Sequence, residues 1–206
     1  MKNITFEYCS LHYLNWWLSH DMGYCQALDK GDEVEKFAAL KQVATHYSIA
    51  RNLPTAFDVN KGFTRYEPIL KIIDSPNLAL FKSGDLVKEI IDTSKLISNE
   101  YGGDNKLSLT TKFLWMKFKH PILIYDQRAR NFLNTSDGDL DGYYKKWHAE
   151  FEAHQKEIVA ACSKLPSLHK YAVDQEIGTK EYIDQISSKP WFHERVFDTY
   201  LWHRGA

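Results

Sequence analysis

The chain has 206 residues, 44% of them hydrophobic and 26% charged, with a formal net charge of −1. That balance suits one folded domain and excludes wholesale disorder. A charge so near zero also excludes a broadly basic nucleic-acid coat, although a local patch is enough for a protein acting at one point on a duplex.

In chain order, Leu11, Leu14 and Leu18 form an apolar stripe with Trp17 beside it, and Phe37, Leu40, Ala44 and Tyr47 repeat at helical spacing. A helix is predicted from Lys61 to Ile73, ended by Ser75-Pro76. The next begins after Ser83-Gly84-Asp85, with Ser83 or Asp85 as its cap, and turns Leu86, Ile90 and Ile97 inward. Tyr101-Gly102-Gly103-Asp104-Asn105 reads as a loop, followed by a helix over Ser108–Phe118. Pro121-Ile-Leu-Ile-Tyr125 is the one β-like run and has no second strand to pair with, so it reads as a buried extended connector. A short helix follows Asp126. The longest is predicted over Leu140–Cys162, where Tyr144, Trp147, Phe151, His154, Ile158 and Ala161 keep a 3-4-3-4-3 spacing. Pro190 opens the last, which runs through Trp202. The fold class expected is all-α, a compact bundle of about eight to ten helices. It is expected as a single helical domain across residues 1–206, with two lobes about a cleft near Lys112 and Asp126 as the finer arrangement.

Cys9, Cys25 and Cys162 are odd in number and have no C-x-x-C spacing, so a reducing cytoplasm is expected. An iron–sulfur cluster needs about four thiolates, more than are present. Nine histidines include no H-E-x-x-H, and His148 and His154 are six apart, wrong for a helical metal pair. No metal or organic cofactor is expected. Glu7 and polar residues interrupt the start of the chain, and no run approaches the ~20 apolar residues of a membrane span, so no signal peptide and no membrane partner are expected.

The chemistry-bearing stretch is Leu107–Leu133. On a helix, Lys112 lies three residues after Leu109 and three and four before Trp115 and Met116, beside the buried face. An unperturbed lysine is neutral about once in 2,500 molecules at pH 7, and a nucleophilic lysine needs that fraction raised. Burial raises it; the bland alternative is snorkelling, with the stem on apolar surface and the charge in water. Asp126 is placed to cap the short helix that follows it, or to serve as a rigid carboxylate beside developing positive charge. Around them Lys106, Lys112, Lys117, Lys119, Arg128 and Arg130 outnumber Asp104 and Asp126, a basic excess in a slightly acidic chain.

Thr111-Lys112, the proline-containing connector Pro121–Tyr125 and Asp126 with Arg128 and Arg130 resemble the catalytic segment of the helix-hairpin-helix DNA glycosylases, notably the 8-oxoguanine glycosylase branch. The C-terminal run Trp191-Phe-His-Glu-Arg-Val-Phe-Asp-Thr-Tyr-Leu-Trp202 is similar to small bacterial proteins of that fold. The resemblance implies Lys112 as the Schiff-base nucleophile at C1′ and Asp126 as the carboxylate that assists it. It implies DNA containing a modified base as partner, with Thr110, Thr111, Arg128 and Arg130 on the DNA. A flipped base would need aromatic walls, for which Trp115, Tyr125, Trp191, Phe192 and Trp202 are candidates that could equally be core. Arg128 and Arg130 are two apart on a helix, so at most one faces DNA.

The family hairpin carries glycines just before the lysine, where this chain has Ser108 and Thr110. That difference sustains a second reading: a non-catalytic helical module that binds DNA or protein with the same fold. A ribonuclease toxin is disfavoured because Arg51, Arg65, Arg128, Arg130 and Arg195 all lack a histidine five positions on. The base recognised and the oligomeric state are not legible at this level.

Overall fold

Polar residues set the helix starts much as their chemistry dictates. The computed structural model describes residues 4–53, 65–75, 84–103 and 106–206, and among them the secondary structure is helical, with no strand. Ten α-helices are described: α1 (Phe6–Trp16), α2 (Met22–Lys30), α3 (Glu33–His46), α4 (Glu67–Ile73), α5 (Leu86–Tyr101), α6 (Leu107–Phe118), α7 (Gln127–Leu133), α8 (Leu140–Ser163), α9 (Lys180–Ser187) and α10 (Pro190–Arg204). A π-helical turn over Trp17–Asp21 joins α1 to α2, and 3-10 turns cover Ala50–Asn52 and Leu165–Tyr171. No helix among the described residues is long and apolar enough to cross a membrane.

Asp85 caps α5 by accepting from the Lys88 N–H; Ser83, the alternative cap, lies outside the described residues. Asp32 and Glu35 close a capping box on α3, satisfying two N–H groups that the helix itself cannot bond. The helix expected from Lys61 begins at Glu67 after a short 3-10 turn at 65–66, and 61–64 lie outside the described residues, as do Pro76, Asp104 and Asn105. Gly102 and Gly103 have φ of 70° and 78°, left-handed values open to glycine at little cost, which is why α5 stops there. The connector is buried as expected: Ile122, Leu123, Ile124 and Tyr125 have 1–4% exposure and belong to no helix or strand.

The chain divides into two compact units, one formed by Met1–Met22 with Asp126–Ala206, the other by Gly23–Tyr125. One boundary falls inside α2 and the other between Tyr125 and Asp126, within the stretch that carries the resemblance.

In the Gly23–Tyr125 unit, α6 packs against α3, α4 and α5. Every residue from Leu109 to Met116 is buried, the pattern of a helix surrounded by its unit rather than lying on it. Asp74, just past α4, receives Lys36 from α3 at 2.7 Å and Lys117 from α6 at 2.6 Å, tying three helices through one carboxylate. Those two ammonium groups hold the Asp74 carboxyl below its ordinary pKa, against the opposing effect of its partial burial.

In the other unit, α10 packs on α1, α7 and α8, and α9 on the Leu165–Tyr171 turn. Phe192, Val196, Phe197 and Leu201 of α10 are fully buried apolar residues. The expected stripe of α8 is present, with Tyr144, Trp147, Ile158 and Ala161 buried and Phe151 and His154 half-buried.

Candidate functional site

Lys112 sits in the middle of α6, within the buried run Leu109–Met116, and it is 5% exposed. Most of the stem is therefore enclosed, and the amine end lies beside the half-buried Ser108. Its amine donates to Ser108 Oγ at 3.1 Å, one turn back on the same helix. Ser108 stands where the family hairpin has glycine, so the departure supplies a hydroxyl to the amine.

Thr110 and Thr111 have no exposed surface. Thr111 Oγ1 accepts from the Tyr125 backbone N–H at 3.1 Å and donates to the Ser108 carbonyl at 3.4 Å. It thereby bonds α6 to the connector and satisfies a buried N–H that an unpaired extended segment would otherwise leave open. Thr110 Oγ1 is buried and has no hydrogen-bond partner among the described residues. The expectation that these two side chains meet DNA is corrected: a phosphate oxygen cannot reach a hydroxyl with no accessible surface.

Trp115 and Tyr125 are likewise wholly inside, at 0% and 1% exposure. As described they are packed core and not open walls for a base, since a side chain surrounded by its own unit has no free face to stack on.

The remaining candidates belong to the other unit. Asp126 is the N-cap of α7 and accepts from the Arg128 N–H at 3.0 Å, the role its position predicts. Arg128 lays its guanidinium over the Trp202 ring, 4.0 Å from the centroid, so two residues assigned to different tasks stabilise each other. Gly205 lies close behind them; a Cβ there would collide with the Arg128 carbonyl oxygen, so the end of α10 approaches the α7 backbone as only glycine allows. Arg130 pairs with Asp137 at 3.3 Å. Trp202 is 42% exposed and keeps a surface for a planar ligand. Trp191 is half-buried and packs on Trp17 with ring centroids 4.5 Å apart, while Phe192 is fully buried core against Tyr13.

One polar cluster has no counterpart in the sequence reading. Arg195 on α10 is buried and pairs with Asp198 at 3.1 Å and with Asp21, from the π-helical turn, at 3.8 Å. Trp147 of α8 donates its indole N–H to Asp198 at 2.8 Å, and Trp16 of α1 donates to Asp21 at 3.1 Å. Burial pushes the Asp198 carboxyl up to about 6, opposed by Arg195 and the Trp147 hydrogen bond. Burial also pushes the Tyr143 phenol well above its ordinary value, and the nearby Asp198 and Asp126 carboxylates reinforce the effect. The i, i+3 spacing of Arg195 and Asp198 was readable; Asp21 and Trp147 come from distant segments and carried no local signal.

No group of three or more His, Cys, Asp or Glu side chains suited to a metal is found among the described residues. Comparison with known proteins adds nothing to these residues: no family model, no curated protein and no solved structure matches the chain.

Proposed function

We propose that the protein is a DNA glycosylase, with lyase activity through the same lysine, that removes a damaged or modified base. The observation that carries the reading is the burial of Lys112 within the run Leu109–Met116. Loss of hydration disfavours an ammonium and favours the neutral amine that chemistry at C1′ requires. The neutral Ser108 hydroxyl beside Nζ is compatible with that amine.

In this reading Lys112 Nζ attacks C1′ of the damaged nucleotide while the C1′–N bond to the base breaks. The base leaves with that bond's electron pair and picks up a proton. Asp126 stabilises positive charge on the sugar and accepts the proton that Nζ sheds. The nitrogen lone pair then forms the C1′=N bond as the C1′–O4′ bond breaks; O4′ keeps that bond's electron pair and takes the proton held by Asp126, leaving a protonated imine between Lys112 and the sugar. Arg128 or Arg130 contacts the phosphate backbone after giving up its present partner, and Trp202, with Trp191 beside it on α10, offers aromatic surface to the extruded base. The reading requires Nζ and the Asp126 carboxylate to converge on one deoxyribose.

Sodium borohydride, added to the full-length protein with duplexes carrying oxidised, alkylated or deaminated bases, reduces the imine to a stable adduct. Adduct on at least one lesion, absent for Lys112→Gln, is expected. Failure of the wild type to trap or cleave anywhere on such a panel overturns the glycosylase.

The burial of Thr110 and Thr111 favours a second reading, a non-catalytic helical module that binds DNA or protein, because it removes two of the family's DNA contacts. That module predicts binding without adduct and full tolerance of Lys112→Gln.

A further inference from the structure

On the α1 and α10 side of the Met1–Met22 and Asp126–Ala206 unit, two imidazoles from opposite ends of the chain face each other. His12 Nδ1 and His203 Nε2 are 3.2 Å apart and separated by 191 positions. Their ring centroids lie 5.3 Å apart. Tyr8, half-exposed, packs on both, at 5.7 Å from His12 and 5.4 Å from His203, and Trp202 packs edge-on against His203 at 5.1 Å. Both rings are therefore held on helices by aromatic neighbours, and neither is mobile in the manner of an isolated surface histidine.

We infer that His12 Nδ1 and His203 Nε2 form a two-imidazole chelate for one borderline divalent transition ion, with its other coordination positions open to water or an anion. The metric argument is direct. Metal–imidazole bonds of about 2.0–2.1 Å place two nitrogens about 2.9 Å apart at a right angle and about 3.4 Å apart at the tetrahedral angle. The observed separation lies between these limits, so the nitrogen spacing needs no change and binding requires the rings to turn until both lone pairs meet the ion.

The same separation also suits a hydrogen bond from one ring to the other. Binding requires the donating ring to move its proton to its other nitrogen, which presents two lone pairs without net proton release. Both rings titrate below the ordinary histidine range. Burial does this for His12; for His203 it is burial first, then His12 and the Arg128 guanidinium. The nearby Arg128 charge opposes a cation in part and favours an anion in one of its open positions. Imidazole suits copper, zinc and nickel, and for divalent ions copper binds most tightly. Two ligands fix a weak, exchangeable site, distinct from a closed structural one.

Sequence inspection could not find this pair, because metal motifs are sought at short spacing. It also stands apart from the glycosylase reading: neither histidine has a part in the chemistry at C1′.

The test uses the full-length protein with Cu²⁺ or Zn²⁺ as the only addition. At pH 7.5, Cu²⁺ titrated to one equivalent is expected to give a single saturating paramagnetic resonance spectrum with two-imidazole nitrogen coupling. His12→Gln and His203→Gln should each weaken it by more than about tenfold, whereas His148→Gln and His169→Gln leave it unchanged. On the unaltered protein, Zn²⁺ should shift the ring ¹⁵N resonances of His12 and His203 first among the nine histidines. That measurement stands even if a variant does not fold. Absence of a saturable site at one equivalent, first shifts on other histidines, or equal Cu²⁺ binding by the folded Gln variants would each overturn the assignment.

Discussion

Each of the two units buries a basic side chain, and they hold it differently. Arg195 is set between Asp198 at 3.1 Å and Asp21 at 3.8 Å, groups drawn from opposite ends of the chain, with Trp147 and Trp16 bonded to those carboxylates. Lys112 is bonded to Ser108 one turn back on its own helix. The arginine is part of a tertiary network in which removing one member strands others in a low-dielectric interior. The hydroxyl bond of the lysine is local and forms wherever α6 forms. A buried cation that serves packing should be costly to lose, and one that serves chemistry should be costly to activity but cheap to stability.

The sharpest way to break that contrast is Arg195→Leu, which leaves two buried carboxylates without their cation. A loss of about 3–5 kcal/mol in urea unfolding is expected; a loss under about 1 kcal/mol would mean that the network does not hold its unit.

Asp198 gives the next effect. Because its folded pKa, about 6, lies above its ordinary 3.8, its contribution to stability is fully present below about pH 3.8 and is lost as pH rises through about 6. The size of that change is on the order of 3 kcal/mol. Asp198→Asn should remove this component, so the difference in unfolding free energy between variant and wild type changes between pH 4 and 7; a constant difference across that range refutes the linkage.

Thr111→Val tests the polar link in the other unit. It leaves the Tyr125 N–H buried without its acceptor and should cost about 1–3 kcal/mol, with faster amide exchange at Tyr125 as the specific readout. Lys112→Gln is expected to change stability by less than about 1 kcal/mol, since an amide can keep the bond to Ser108, while abolishing any borohydride adduct. If it unfolds the protein as Arg195→Leu does, the two basic residues are alike and the contrast fails. The smallest effect belongs to Trp202→Ala, which removes the Arg128 stack and should cost about 0.5–1 kcal/mol in thermal or urea unfolding.

Helices were legible because their signals are local. Asp85, Asp126 and Pro190 mark starts at the residues that cap or open α5, α7 and α10, and the 3-4 spacing from Tyr144 to Ala161 found the inward face of α8. The connector at Ile122–Tyr125 was legible for a different reason: an apolar run with no second strand has to be buried without a ladder. Side-chain fates were less legible. Thr110 and Thr111 look like surface hydroxyls in a string of letters, yet α6 is enclosed on every side by α3, α4 and α5 and buries them. Arg128 and Trp202, read as separate contributors, stack on each other because α7 packs against α10.

The sequence by itself determined the helical class, the capping residues and the position of a lysine beside an apolar face. These depend on 3.6-residue periodicity and on side chains within one turn of the groups they satisfy. Tertiary structure alone decided that Lys112 is almost wholly buried, that Arg195 lies between Asp21 and Asp198, and that His12 meets His203. Those facts depend on which helices lie side by side, and a contact across 191 positions leaves no trace in the spacing of neighbouring residues.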